Sequence, residues 1–337
     1  MLSYTIRRLL AMPLLLLGVV TIAFLLSHMT RADPLTAIIG ERQMNNPEVV
    51  AAARARWGLD RSLPQQYAVY VGNLVTGDFG TSFRTKRPVL DDLAARLPAT
   101  IELTLAAMLV GTVVGVGLGV FAAHFRDRPF DHAARLLALF GSSLPVFWSG
   151  LIVMFIFSVQ LGWLPGPGRI DARLPLPPHV TGMLTVDALL AGDGRALRDA
   201  LAHLVLPACV LGWAVMGIIS RLVRASMLDV LGQDYITTAR AKGASQQRVL
   251  LNHALRNAMI PTLTIIGFSF AYLITGAVLT ETIFSWPGIG SYAVESARQL
   301  DHPAIIGVTI VGGAAFLLAN LVTDIAYAFA NPRIRIG

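Results

Sequence analysis

Residues 103–123 read Leu-Thr-Leu-Ala-Ala-Met-Leu-Val-Gly-Thr-Val-Val-Gly-Val-Gly-Leu-Gly-Val-Phe-Ala-Ala, which is 21 residues without a single charge. An α-helix needs about 20 mostly apolar residues to cross the hydrocarbon core of a membrane. The run therefore predicts a transmembrane helix. Five further uncharged runs have a comparable or greater length, at residues 9–26, 136–163, 201–220, 258–280 and 304–323. The sequence thus predicts an all-α integral membrane protein with six transmembrane helices.

The composition of the whole chain favours the same class of protein. Of its 337 residues, 55% are hydrophobic and 14% are charged, whereas a typical soluble protein is about 25% charged. A soluble globule of this size could not cover its surface with so few charges, and disordered chains are poor in apolar residues. The net charge of +7 is not gathered into one tract, so a membrane lipid environment is expected and a nucleic-acid partner is not.

The basic residues predict the direction in which the helices cross the membrane. With the amino terminus inside, the inner segments carry 13 of the 27 basic residues in roughly 65 positions, and the outer segments carry 14 over about twice that length. Short cytoplasmic loops of membrane proteins are rich in Lys and Arg. Both termini are therefore predicted to be cytoplasmic. Residues 30–94 are predicted to form an outer domain with helices at Pro47–Trp57 and at 64–74.

Sequence patterns of common enzymes are absent. The two lysines, Lys86 and Lys242, follow Thr and Ala, so no Gly-Lys pair exists to hold a phosphate in a P-loop. The chain also contains neither a His-Glu-x-x-His zinc helix nor a Gly-x-Ser-x-Gly nucleophile turn. Its one cysteine, Cys209, lies in an apolar run and is predicted to be a small buried residue. We therefore expect no catalytic, cofactor-binding or metal-binding residues.

Three acidic residues lie at the ends of predicted membrane helices. Glu102 and Glu281 are expected at the outer surface, where snorkelling or a local ion pair is favoured over a role in a transport path. Asp324 is expected at the inner surface, close to the basic tail with Arg333 and Arg335. Proton-driven carriers place ionisable groups deep in the membrane. The positions at helix ends therefore disfavour that class of transporter.

The loop between the fourth and fifth predicted helices carries the most informative pattern. It begins Asp234-Tyr-Ile-Thr-Thr-Ala-Arg-Ala-Lys-Gly243, in which Asp234 is a candidate N-cap and Gly243 ends a short helix, with a positive φ angle or in a tight turn. A second helix is predicted to begin near Ser245 and to run into the fifth membrane helix, with Pro261 at the membrane entry. A short helix with small side chains fits a groove on a partner protein. The alternative interpretation is a basic loop that only fixes the orientation of the chain in the membrane, because such a loop would have the same composition.

This loop resembles the "EAA" loop of ABC-importer permeases, in which a coupling helix contacts the nucleotide-binding subunit. The residue sequence of this loop, together with His-Ala-Leu-Arg-Asn-Ala-Met-Ile-Pro261, resembles that of permeases in the dipeptide/oligopeptide/nickel branch, of the first-subunit type. Four more segments carry the same resemblance, at residues 7–9, 77–82, 280–288 and 331–335. Thr237 and Thr238 replace the Glu and first Ala of the general motif, which affects the contact chemistry expected of this helix.

The resemblance implies a type I ABC-importer transmembrane domain with a periplasmic insertion after the first helix. The implied segments are a first helix at 1–29, a periplasmic domain at 30–94, a permease core at 95–330 with a coupling loop at 228–261, and a cytoplasmic tail at 331–337. Seven residues would couple to the ATPase, namely Asp234, Tyr235, Thr238, Ala239, Ala241, Gly243 and Arg256. Four would contact the periplasmic binding protein, namely Glu281, Trp286, Pro287 and Gly288.

The resemblance also implies partners and a substrate. The chain would be a non-catalytic subunit in the bacterial inner membrane, with a second permease, two ATPase subunits that bind ATP and Mg²⁺, and a periplasmic substrate-binding protein. Dipeptides or short oligopeptides are the expected cargo. Nickel, glutathione and D-peptides are alternatives within the family, and a proton-driven carrier or a passive channel are alternatives from other classes.

Overall fold

The computed structural model describes residues 2–29, 35 and 39–330, and the regular secondary structure in this part of the chain is helical. A 3₁₀ turn spans Glu41–Gln43 and two π-helical turns span Phe155–Gln160 and Val249–Leu255. The α-helices are α1 (Leu2–Met29), α2 (Pro47–Trp57), α3 (Leu63–Val75), α4 (Val89–His124), α5 (Pro129–Ser143), α6 (Val146–Met154), α7 (Leu184–Leu190), α8 (Gly194–Leu231), α9 (Asp234–Ala241), α10 (Gln246–Arg248), α11 (Arg256–Gly276), α12 (Val278–Ile283), α13 (Ile289–Arg298) and α14 (His302–Ala330).

Among the described residues, five helical segments are long and apolar enough to cross a membrane, and a bent pair of helices could form a sixth span. The predicted third helix at 136–163 is wrong as a single helix, because α5 and α6 meet at 106°. The break falls at Leu144, whose ψ of 136° is extended. A residue that precedes a proline is disfavoured in the helical conformation, and Pro145 follows.

Helices α4 and α8 form the centre of the bundle and run parallel to each other. Glycines make their close approach possible, because a Cβ added at Gly111 would lie 2.8 Å from the carbonyl oxygen of Gly212. The same contact recurs two turns later, where a Cβ at Gly119 would lie 2.7 Å from the carbonyl oxygen of Ser220. Since residue numbers rise together along both helices, the first turns of α4 and α8 lie at the same end of the bundle. We call this the far end, and the opposite end, where α8 leads into α9, the α9 end.

Helices α1 and α3 pack on the outside of α14. The ring of Phe24 in α1 meets that of Tyr67 in α3 edge to face, with the centroids 5.3 Å apart. The Tyr67 hydroxyl also lies 2.6 Å from the hydroxyl of Thr21. The predicted helix Pro47–Trp57 is confirmed as α2, and the one at 64–74 corresponds to α3. The predicted boundary between residues 94 and 95 falls inside α4, which begins at Val89.

Two residues were given predicted environments near the ends or faces of the helices, and the structure describes part of each. Asp324 forms an ion pair with Arg8 of α1, so α1 and α14 are joined at the α9 end. The predicted partners Arg333 and Arg335 lie outside the described residues. Cys209 was expected to be buried, but its side chain is exposed on the surface of α8. Helix α8 presents both a buried and an exposed face, and the apolar character of the run could not distinguish them.

Candidate functional site

Helix α9 is attached to the bundle by one fully buried side chain. Ile236 is completely inaccessible to solvent and belongs to the same apolar core as Met227 of α8 and Val249 of the following π-helical turn. Ala239, one turn further on, is half-buried on the same side. The rest of α9 faces away from the bundle, so it presents a free surface while remaining fixed to the end of α8.

The two ends of α9 are defined by backbone geometry. The N-cap is Gln233, with extended φ and ψ of −82° and 149°, and the predicted cap Asp234 is instead the first helical residue. At the other end Gly243 has a φ of +80°, which confirms the predicted positive φ angle. The amide of Gly243 donates to the carbonyl of Arg240 at 2.9 Å, and that of Ala244 donates to Ala239 at 3.1 Å. This pair of bonds is a Schellman motif, which requires a left-handed residue after the helix.

The segment after α9 is connected back to it. Ser245 caps α10 by accepting a 3.4 Å hydrogen bond from the amide of Arg248. The Asn257 amide group donates to the Tyr235 hydroxyl at 2.8 Å, so α11 and α9 are held together across the loop. Of the seven residues predicted to couple, six are exposed and only Ala239 is half-buried. The exposed six are Asp234, Tyr235, Thr238, Ala241, Gly243 and Arg256.

A buried ion pair that sequence reasoning missed lies towards the α9 end. The Arg224 guanidinium of α8 makes two 2.6 Å hydrogen bonds to the carboxylate of Asp131 in α5, which is fully buried. The amide of Asp127 donates to the same carboxylate at 3.0 Å. The pair holds the start of α5 against α8. Its sequence signal is an aspartate two residues after a proline that begins a helix.

Glu281 is the centre of a buried polar cluster at the far end. Its carboxylate accepts hydrogen bonds from the Thr100 hydroxyl of α4 at 2.6 Å and from the Ser291 amide of α13 at 2.9 Å. A Cβ added at Gly288 would overlap this carboxylate, so a larger residue there would displace it. Burial raises the pKa of Glu281, and the hydrogen bonds from Thr100 and Ser291 offset the increase only in part. The cluster ties α4, α12 and α13 together.

Three of the four residues predicted to contact a binding protein are buried in the structure. Trp286 is 1% exposed, and its indole N–H donates to the carbonyl of Ala99 at 2.7 Å. Glu281 and Gly288 are buried as well, and of the four residues only Pro287 is exposed. The side chains of Glu281 and Trp286 therefore hold the loop in shape, and the contact with a binding protein stays a prediction.

Glu102 forms the local ion pair that the sequence favoured. Its carboxylate forms an ion pair with the guanidinium of Arg169, which lies in the loop before α7. The same carboxylate accepts hydrogen bonds from the amide and from the hydroxyl of Thr185, both at 2.7 Å. The Arg169 guanidinium lies over the Trp286 ring, 5.3 Å from its centroid. Sequence reasoning did not find Arg169, because it lies 67 residues from its partner in an irregular loop.

The described residues contain no group of three or more His, Cys, Asp or Glu side chains arranged to hold a metal ion. The buried carboxylates of this part of the chain bond arginines, hydroxyls and backbone amides. This arrangement holds helices and loops in place.

Two family descriptions together match nearly the whole chain. Residues 115–336 match "Binding-protein-dependent transport system inner membrane component", and residues 1–104 match the corresponding N-terminal family. The di/tripeptide transport system permease protein of Pseudomonas aeruginosa is 44% identical, with 99% of each chain covered. The probable D,D-dipeptide transport system permease protein of Escherichia coli is also 44% identical, over 96% of this chain and 95% of that protein. The dipeptide transport system permease protein of Escherichia coli is 41% identical, with 99% of both chains covered.

The structural and sequence observations agree on one class of protein. Five long apolar helices and one bent pair form a bundle, and a short helix with a free surface is fixed at one end of it. The family match covers more than half of the chain and the relatives are similar along its whole length. The chain therefore belongs to the family of binding-protein-dependent transport system inner membrane components.

Proposed function

We propose that this chain is the permease subunit of an ATP-driven importer of dipeptides or short oligopeptides. The observation that carries the proposal is the similarity over 99% of the chain to a permease named for di- and tripeptide transport. A second candidate cargo is a D,D-dipeptide, because the relative named for that substrate has the same 44% identity. The substrate-binding protein would make the first selection between these peptides.

In the proposed mechanism α9 receives the motion of the ATPase subunits. Its exposed surface, which includes Thr238 and Ala241, would lie in a groove of the ATPase, and Ile236 would pass the movement to the bundle. ATP binding would close the ATPase subunits and open the path at the far end. Hydrolysis would close the path at the far end and open it at the α9 end. Such coupling requires that the ATPase contacts differ between the two states.

The remaining parts of the proposal concern arrangement. Both termini and α9 would be cytoplasmic, residues 30–94 periplasmic, residues 95–330 the permease core and residues 331–337 a cytoplasmic tail. A second permease would pack against apolar side chains that this chain leaves exposed, such as Leu109 and Phe121 of α4. ATP and Mg²⁺ would bind to the ATPase subunits. Impermeant thiol labelling in a Cys209-free background should reach a cysteine at Asp60 and spare one at Lys242.

The function is tested with the complete complex in proteoliposomes. ATP and the loaded binding protein should drive uptake of a radiolabelled L,L-dipeptide, and an unlabelled D,D-dipeptide or glutathione should compete weakly. Ala241→Trp should abolish uptake while the complex still inserts, because an interface tolerates extra volume poorly. The matched control is Gln247→Ala in the same loop. Failure of the complex to take up any peptide would refute the substrate, and normal uptake by Ala241→Trp would refute the role of α9.

A further inference from the structure

The loop between α6 and α7 carries an exposed proline-rich segment. Residues 172–180 read Ala-Arg-Leu-Pro-Leu-Pro-Pro-His-Val, and we call them the proline arch. Leu176 is 72% exposed and Val180 is 65% exposed. The segment contains no regular secondary structure. Two large apolar side chains are thus presented to the surroundings.

The base of the arch is firmly held. Arg169, on one side, donates to the carbonyl of Gly182 on the other side at 3.1 Å, while it also pairs with Glu102 of α4. The carboxylate of Asp187 accepts hydrogen bonds from the amides of Thr181 at 2.7 Å and Gly182 at 3.0 Å. Burial by itself would raise the pKa of Asp187, but these hydrogen bonds outweigh it and the pKa lies below its usual value. The arch is therefore an ordered projection of the bundle.

The backbone of the arch is suited to recognition by another protein. Pro175, Pro177 and Pro178 each fix φ near −65° and have no amide hydrogen, which favours an extended polyproline-like conformation. In residues 39–330, no hydrogen bond is formed by the amides of Leu176 and His179. Such a segment loses little conformational entropy on binding, and its free amides can be paired by a partner.

The position of the arch follows from the parallel packing of α4 and α8. Its base bonds Glu102, near the start of α4, and the adjoining amide of Asp171 donates to Asp199 at the start of α8 at 2.7 Å. Helix α8 has 38 residues, which corresponds to a length of about 57 Å. The arch thus lies at the far end, about 57 Å from α9.

We propose that the proline arch is the docking surface for the substrate-binding protein, which would receive Leu176 and Val180 in an apolar groove with carboxylates at its rim. The exposed Arg173 of the arch supplies the complementary charge for that rim. The proposal rests on the proposed function, under which the far end faces the periplasm. It assigns the contact to the arch because Trp286 and Glu281 are buried.

The free amides distinguish a protein partner from the lipid bilayer. An unpaired backbone amide in hydrocarbon costs several kcal/mol, so the arch would enter the membrane only at a large energetic cost. A protein groove can pair these amides and cover the apolar side chains at the same time. The observations therefore favour the binding protein over insertion into lipid.

The first test places a photo-reactive benzoylphenylalanine at Leu176 in the complete complex in liposomes. Irradiation with the purified binding protein encoded beside this permease should give one covalent adduct with that protein. Adducts confined to lipid or to the second permease would overturn the proposal. The same liposomes are assayed for dipeptide uptake. A complex that forms the adduct but takes up no dipeptide would refute the proposed substrate and leave the docking role of the arch standing.

The second test measures ATP hydrolysis as a function of binding-protein concentration. The double variant Leu176→Asp and Val180→Asp should keep the basal ATPase rate but need about tenfold more binding protein for half-maximal stimulation. Leu189→Asp is the matched control, because Leu189 lies in α7 beside the arch and is 64% exposed. An unchanged concentration dependence in the double variant would refute the proposal, as would an equal loss in the control.

Discussion

Replacement of Gly243 tests whether the left-handed end of α9 is required for coupling. No heavy atom lies within 4 Å of the position that a Cβ would occupy at Gly243, so Gly243→Ala creates no clash. Its effect comes from the φ of +80°, which costs an L-residue about 1 kcal/mol or more. Since 1.4 kcal/mol is a factor of ten, a cost of 1 kcal/mol lowers the equilibrium ratio of the ordered to the open helix end about fivefold. Helix α9 is otherwise held by the buried side chain of Ile236 and by the hydrogen bond from Asn257 to Tyr235, and neither fixes its C-terminal end.

Hydrogen exchange in the assembled complex measures this effect at the amide of Ala244, which closes the Schellman motif. We expect about fivefold faster exchange in Gly243→Ala, together with weaker stimulation of the ATPase by the loaded binding protein. Gly243→Asn should lie between Ala and the wild type, because asparagine tolerates the left-handed region. Gly232→Ala, at a φ of −82° in the same loop, should behave as the wild type. Wild-type exchange in Gly243→Ala would refute the reasoning. Equal loss of stimulation in the Ala and Asn variants, without faster exchange, would instead indicate direct contact with the ATPase.

Three further predictions concern packing and polar contacts. Gly119→Ala should lower the free energy of unfolding in detergent by about 1–3 kcal/mol, because α4 and α8 must separate, whereas Gly117→Ala, with nothing within 4 Å of its Cβ position, should show no such loss. Glu102→Gln should destabilise the base of the proline arch by about 2–5 kcal/mol by leaving the half-buried Arg169 charge unpaired, and limited proteolysis within the arch should become faster. The lowered pKa of Asp187 means that its stabilisation is complete above its unfolded pKa of about 3.9 and is lost as the pH falls below about 4. Exchange protection of the Thr181 amide should therefore fall in that range, and Asp187→Asn should remove the pH dependence.

Features with a local sequence signal could be predicted, and features made by distant residues could not. The proline-led helix Pro47–Trp57 and the positive φ of Gly243 are both encoded within a few residues. The break before Pro145 also has a local signal, but an uncharged run of 28 residues was interpreted as one long span. The burial of Glu281 had no such signal, because its partner Thr100 lies 181 residues away and the two meet only in the folded chain.

Helix α8 should be stiff in one part and flexible in another. The place at which it bends decides how a movement of α9 reaches the rest of the bundle. The glycine-mediated contacts bind residues 212–220 of α8 closely to α4, whereas Pro207, on the far side of these contacts, lacks the amide hydrogen for a helical bond. A displacement that arrives at α9 should therefore move α8 together with α4 from Leu231 back to Gly212. The bending of α8 should then concentrate at Pro207. The segment from Pro207 to Leu231 is about 36 Å long, so a bend of about 10° there swings the α9 end through about 6 Å.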